Sequence, residues 1–144
     1  MNALLRKLLY VDLGLPSGKL WARRNRRRYL SHPEALQRYG DVMPSIEDWR
    51  ELSQYCTRKW CPARGGYLLK GPNGRRLFLP ANGFYDHTRK TIDHKDMGYY
   101  WSNTTYNTGA GHAVYFYSFG EDGVRIFISR PSDGFSIRTT APTK

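Results

Sequence analysis

The chain has 144 residues, with 23 Lys and Arg against 12 Asp and Glu, a formal net charge of +11, and it is 40 % hydrophobic and 15 % aromatic. That length suits one domain with a real buried core, and 11 Tyr with 4 Trp exclude a disordered chain. No run approaches the roughly 18 consecutive apolar residues of a membrane-crossing helix, so no membrane partner is expected.

Residues 1–9 read as an N-terminal extension. The stretch Met1 to Tyr10 is too short and too interrupted by charge for a secretory signal, and it offers no lipidation cysteine. A role outside the cell then requires another export route, such as phage lysis, or a leader absent from this sequence. Tyr10 to Leu15 and Lys19 to Ala22 flank Pro16-Ser17-Gly18, which predicts two short strands around a turn. The block that follows, Arg23, Arg24, Arg26, Arg27 and Arg28, is a candidate polyanion patch that could neutralise nucleic-acid phosphates. A solvated loop or a docking face for an acidic neighbour is the favoured reading, since no helix-turn-helix, zinc-finger or RNA-recognition signature accompanies the charge. Ser31-His32-Pro33-Glu34 predicts a capped short helix ending by Gly40.

Ser45 to Tyr55 is the strongest helix, with Ser45 as cap, Asp48 three residues on, and Ile46, Trp49 and Leu52 along one face. Cys56 and Cys61 could pair as a disulfide, whereas a zinc site would need two more ligands that the scattered histidines do not supply; plain thiols are expected. Gly66 to Lys70 and Arg75 to Pro80 flank Gly71-Pro72-Asn73-Gly74, a hairpin signal. Ala81 to Met97 reads as a solvated polar loop; its Asp86, His87, Asp93, His94 and Asp96 match no metal-loop spacing. No cofactor is expected, with calcium left open.

The stretch Gly98 to Arg138 carries the functional reading. His112 to Phe119 and Val124 to Ser129 alternate as strands, joined by a loop over Ser118 to Gly123. If Val114, Phe116, Val124, Ile126 and Ile128 cover the core, Tyr115, Tyr117, Arg125 and Phe127 share the opposite face, rich in the residue types of binding hot spots. A packing role for the same aromatics is the competing reading.

GYYWS at Gly98 to Ser102, AVYF at Ala113 to Phe116 and R-x-x-x-GFSIR at Arg130 to Arg138 resemble the C-terminal half of the Fibrobacter succinogenes major paralogous domain. YVDLGLPSGKLWA at Tyr10 to Ala22, YGD at Tyr39 to Asp41, MPSIEDWREL, and GPNGRRLFLPANG at Gly71 to Gly83 resemble the same family in the same order. The resemblance implies a C-type-lectin-like α+β domain over residues 10–144, with short antiparallel strands and one or two helices. It implies scaffold roles for Trp101, Gly134 and Arg138, a family-like position for Cys56, and kinship with formylglycine-generating enzymes and the variable proteins of diversity-generating retroelements. The copper-binding cysteines of those enzymes have no counterpart after Cys61, which argues against oxidase activity. The segment between YGD and the main helix is much shorter than in similar proteins, removing a large loop and any ligand contacts it would supply.

The expected function is therefore non-enzymatic ligand binding and display. In retroelement targets the variable residues lie near the C-terminus of such a domain, and the candidate ligand-binding residues here are Asn103, Thr105, Tyr106, Asn107, Thr108, His112, Tyr115, Tyr117, Ser118, Arg125, Phe127 and Ser129. The expected partner is a bacterial cell-surface glycan or protein, in the setting of a phage tail or surface adhesin with contacts to other virion or self subunits. A basic polyanion-binding or nucleic-acid-associated protein is the alternative, and an enzyme built around His112 or Asp133 is a third. No Gly-x-Ser-x-Gly elbow, phosphate-cradling glycine loop or His-Glu-x-x-His helix is present.

Overall fold

The structure is a computed structural model that describes residues 2–27, 29–108, 111–129 and 132–142, and the side chains of these except at 106–108 and 111–113. In chain order its elements are α1 (Ala3–Leu9), β1 (Tyr10–Val11), β2 (Leu20–Ala22), α2 (His32–Tyr39), a 3-10 turn (Gly40–Val42) and α3 (Ile46–Tyr55). Then come β3 (Thr57–Cys61), β4 (Gly66–Lys70), β5 (Arg76–Pro80), β6 (Phe84–Asp86), β7 (Thr91–Asp93), β8 (Gly98–Thr108), β9 (Gly111–Gly120), β10 (Gly123–Ser129) and β11 (Thr140–Ala141). The fold is α+β, built from three antiparallel three-stranded sheets, β1-β2-β11, β3-β4-β5 and β10-β9-β8, and the β6-β7 hairpin. The expected extension at residues 1–9 contains helix α1, and the expected polar loop at 81–97 contains the β6-β7 hairpin.

Local sequence chemistry accounts for the two longer helices. Ser31 and Glu34 form a reciprocal capping box at the start of α2, which Gly40 stops with a φ of 31° that residues with a Cβ rarely adopt. Ser45 and Asp48 form the same device at α3: the Asp48 amide donates to Ser45 Oγ at 3.0 Å and the Asp48 carboxylate accepts the Ser45 amide at 2.8 Å. That carboxylate also receives Lys19 Nζ at 2.9 and 3.0 Å, tying α3 to the β1-β2 connection.

The inner face of α3 seats Trp49 at the centre of the larger core. Its ring stacks on Tyr117 at 4.5 Å, tilts against Trp21 at 4.7 Å and Tyr100 at 5.4 Å, and its indole N–H donates to the Trp101 carbonyl at 3.3 Å. Leu52, Tyr67, Leu69, Leu77 and Leu79 complete this cluster from α3 and the β3-β4-β5 sheet. A second cluster, with Leu30, Met43, Trp101, Val114, Phe116 and Phe135 among its members, fills the other side of β8 and β9. Both faces of the β8-β9 pair are thus buried.

Arg138 is the polar counterpart of this packing. It is buried, yet among the described residues no carboxylate meets it: Nε donates to Asn25 Oδ1 at 2.7 Å, and its two Nη atoms donate to the carbonyls of Ala22 and Phe78, each at 2.9 Å. Burial pulls its pKa down, while the neighbouring Tyr100 hydroxyl favours the charged form. The same burial pushes the Tyr100 phenol up to about 12.

The expected face assignment is overturned by the register of β9 and β10. The chain turns over Glu121 and Asp122 alone, with Gly120 opposite Gly123, so Ile126 pairs with Tyr117, Phe127 with Phe116 and Arg125 with Ser118. Directly opposed residues share a face, so Val124, Ile126 and Ile128 lie with Phe119, Tyr117 and Tyr115, not with Val114 and Phe116 as expected. Tyr117 is 1 % exposed, stacked on Trp49 and hydrogen-bonded to Ser53 at 2.6 Å, whereas Phe127 is 47 % exposed.

Two stability outcomes follow. Tyr117→Ala is expected to cost about 3–5 kcal/mol in urea unfolding and Phe127→Ala less than about 1 kcal/mol, because only the first empties a packed site. Arg138→Met, which takes the guanidinium away from its three acceptors, is expected to cost at least about 3 kcal/mol; a midpoint unchanged from wild type would remove Arg138 as a structural tie.

Candidate functional site

The sheet β10-β9-β8 has one open edge, and the exposed part of the expected site lies along it. On one face its cross-strand rows run Tyr99-Ser118-Arg125, Trp101-Phe116-Phe127 and Thr105-Val114-Ser129. The inner members of these rows belong to the core, while Arg125, Phe127 and Thr105 face solvent and Ser129 is half-buried. Phe127 leans on Phe116 with ring centroids 5.9 Å apart, so the exposed ring is held from below. This brings Arg125, Phe127 and Ser129 together on β10, with Thr105 beyond buried Val114 on β8 and Tyr115 on the opposite face opposite Ile128.

Asn103 is tied into the fold, its side-chain amide donating to the Met43 carbonyl at 3.3 Å. The pairing of β8 with β9 slips between Trp101 and Thr105, so Ser102, Asn103 and Thr104 form a bulge. Ser102 Oγ donates to the Tyr115 carbonyl at 2.6 Å, the Asn103 amide donates to the Pro44 carbonyl at 2.9 Å, and Thr104 Oγ1 accepts the Ile46 amide at 3.0 Å. On the α2 side, buried His32 bonds the Ser102 carbonyl through Nε2 at 2.7 Å, and burial holds its pKa below the usual range. The bulge is therefore a fastening between strand and helices. Beyond it, the backbone of Tyr106, Asn107 and Thr108 pairs with that of Ala113, His112 and Gly111, so the strand pairing continues to Thr108. The side chains of Tyr106, Asn107, Thr108 and His112, and all of Arg28, lie outside the described residues.

At the Glu121-Asp122 turn the sheet borders a cleft of about 740 Å³ whose walls include Trp60, Asp96, Met97, Glu121, Asp122 and Arg125. Three carboxylates face one guanidinium here, an acidic pocket on a chain with a net charge of +11. Ser118 also lines it; its hydroxyl is buried and has no hydrogen-bond partner among the described residues. Indole, carboxylates and guanidinium together suit a polar ligand with hydroxyl or amino groups. Of these residues only Ser118 and Arg125 stand on the sequence-derived list. Trp60, Asp96 and Glu121 come from three separate segments, and no spacing in the sequence signals their meeting.

The remaining candidates separate. Arg23, Arg24, Arg26 and Arg27 are exposed on the segment after β2, remote in sequence from the β10 edge. Asp86 accepts the amides of Thr88 and Arg89, and the Arg89 bond leads the effects that lower its pKa; it closes a turn. Asp133 meets His87 at 3.2 Å. Among the described residues, no three His, Cys, Asp or Glu side chains gather where they could hold a metal ion.

Comparisons with protein-family models, with curated proteins and with solved structures find no match to this chain.

The two thiols are free and unlike each other. Cys56 is buried at the end of α3, where burial first and the Glu51 charge second push its pKa up to about 11. Cys61 is only partly buried. At pH 8 the Cys56 thiol is protonated, the form that does not attack. Titration with an aromatic disulfide reagent at that pH is expected to give one fast thiol and one about 100-fold slower or slower still, with both fast in urea. Two equally fast native thiols would show that Cys56 is open to solvent.

Proposed function

We propose that this chain is a non-enzymatic binding module of C-type-lectin-like kind, which presents Arg125 and Phe127 on the open β10 edge together with the adjoining cleft. The observation that carries this reading is the placement of Arg125, shared by the exposed strand face and a 740 Å³ cleft. The strands beneath are braced by buried clusters on both sides, so the presented groups lose little freedom when a ligand arrives. Arg and aromatic side chains on such a base are the types that carry most binding energy.

The ligand class is a bacterial cell-surface glycan or protein. The cleft, with carboxylates, an indole and a guanidinium, favours a hydroxyl- and amine-bearing group within it. The family resemblance supports a further step, that the chain is a retroelement variable protein or a phage-tail adhesin whose β8-β9 hairpin varies. In that reading the bulge at Ser102 to Thr104 separates a constant base from a changeable tip. A second reading, binding of a polyanion through Arg23, Arg24, Arg26 and Arg27, is supported by the exposure of all four.

An array of bacterial surface glycans and proteins, probed with the chain and two variants, tests both. Arg125→Ala/Phe127→Ala is expected to weaken the captured ligand at least about tenfold with the unfolding midpoint unchanged. An Arg23→Gln/Arg24→Gln/Arg27→Gln variant is expected to keep it. The reverse pattern, with steep salt dependence, would replace the display reading by the polyanion reading.

A further inference from the structure

Helix α1 carries a surface that the fold does not use. Leu4, Leu5, Leu8 and Leu9 occupy one arc of its 3.6-residue period, and Arg6 and Lys7 take the other side. All four leucines face solvent, at 70, 44, 65 and 48 % exposure, and none of the helix residues is buried. Leucines gathered this way on a domain surface mark an interaction site.

The helix is not a loose appendage. Its last turn is clasped by the arginine segment: the Arg23 amide donates to the Leu9 carbonyl at 2.9 Å and Arg23 Nε to the Lys7 carbonyl at 3.2 Å. Cationic clefts consequently flank the leucine arc. One of about 430 Å³ is lined by Arg6, Lys7, Arg23 and Arg75 with Asp12 as its single carboxylate. Another, of about 310 Å³, sets Leu8 and Leu9 beside Arg23, Arg24 and Arg26. Nε and Nη2 of Arg6 are shielded and, among the described residues, have no hydrogen-bond partner.

We propose that α1 and the arginine segment form a docking surface for an anionic phospholipid bilayer, with the leucines entering the acyl boundary and the surrounding Arg and Lys side chains taking headgroup phosphates. Charge complementarity selects an anionic surface, and the leucines select one with an apolar interior; a nucleic-acid duplex satisfies the cations but gives four leucines nothing to enter. None of the described helices is long and apolar enough to cross a membrane, and a helix lying in the interface needs no such length. A seven-residue helix with one apolar arc binds weakly alone, so the cations have to contribute and the attachment should weaken with salt. This surface is separate from the β10 edge, and the proposal stands or falls independently of the display reading.

Vesicle flotation of the full chain decides it, with phosphatidylcholine alone compared with an equal mixture of phosphatidylcholine and phosphatidylglycerol. The chain is expected to float with the anionic vesicles only. Leu4→Gln/Leu8→Gln, which leaves the net charge unchanged, and Arg23→Gln/Arg24→Gln should each reduce the bound fraction at least about tenfold, and salt at about 0.5 M should release the wild type. Because the leucines are exposed, the thermal midpoint of the leucine variant should match wild type, and a Leu5→Trp variant should shift its emission to the blue on anionic vesicles. Undiminished vesicle binding by the leucine variant would overturn the proposal in favour of simple polyanion attraction. So would equal binding to neutral vesicles, capture by duplex DNA with vesicles left unbound, or a leucine-dependent dimer in sedimentation that ignores vesicles.

Discussion

Trp49 is the contact that packs the β1-β2-β11 sheet against the β10-β9-β8 sheet. Among the described residues no sheet has more than three strands, too few to bury a hydrophobic face by itself. The indole meets Trp21 of β2, Tyr100 of β8 and Tyr117 of β9, so one side chain on α3 replaces the inter-sheet packing that larger sheets would provide. The capping box at Ser45 and Asp48 starts the helix, the bulge holds its first turn, and together they set the height at which the ring enters. Aromatic rings suit this task because tilted and offset contacts are favourable over a range of angles, which lets one ring serve sheets that run in different directions.

Arg138 performs the corresponding task with hydrogen bonds. Three carbonyl-type oxygens, from β2, from the arginine segment and from β5, point at its guanidinium. A planar group with five donors can satisfy acceptors from three chain segments at once, which no neutral side chain of similar size does. This buried cation is thus held by dipoles and by the Tyr100 hydroxyl, and the bond that Asn25 makes helps to fix the arginine segment.

Local chemistry was legible in the sequence and pairing was not. The boxes at Ser31/Glu34 and Ser45/Asp48 and the turn at Asn73-Gly74 act within a few residues, so both longer helices and the β4-β5 hairpin stand where the residues place them. Parity in β9 and β10 correctly divides each strand into two sets. Which set of one strand joins which set of the other depends on the length of the turn, and the two-residue turn at Glu121-Asp122 joins Ile126 to Tyr117. A central strand between two cores carries apolar residues on both parities, which removes the contrast on which a face assignment depends. The same limit hid the cleft: Trp60 and Asp96 reach Arg125 only through tertiary packing.

The β1-β2-β11 sheet has an implication for how the molecule is made. Trp21 and Leu20 find their partners at Thr140 and Ala141, across nearly the whole sequence. On the ribosome β1 and β2 emerge before the other described strands, but β11, the partner of β2, follows all of these. Helix α3 and the β3-β4-β5 meander can assemble from neighbouring residues while synthesis continues; closure around Trp21 has to wait until residue 141 has cleared the exit tunnel.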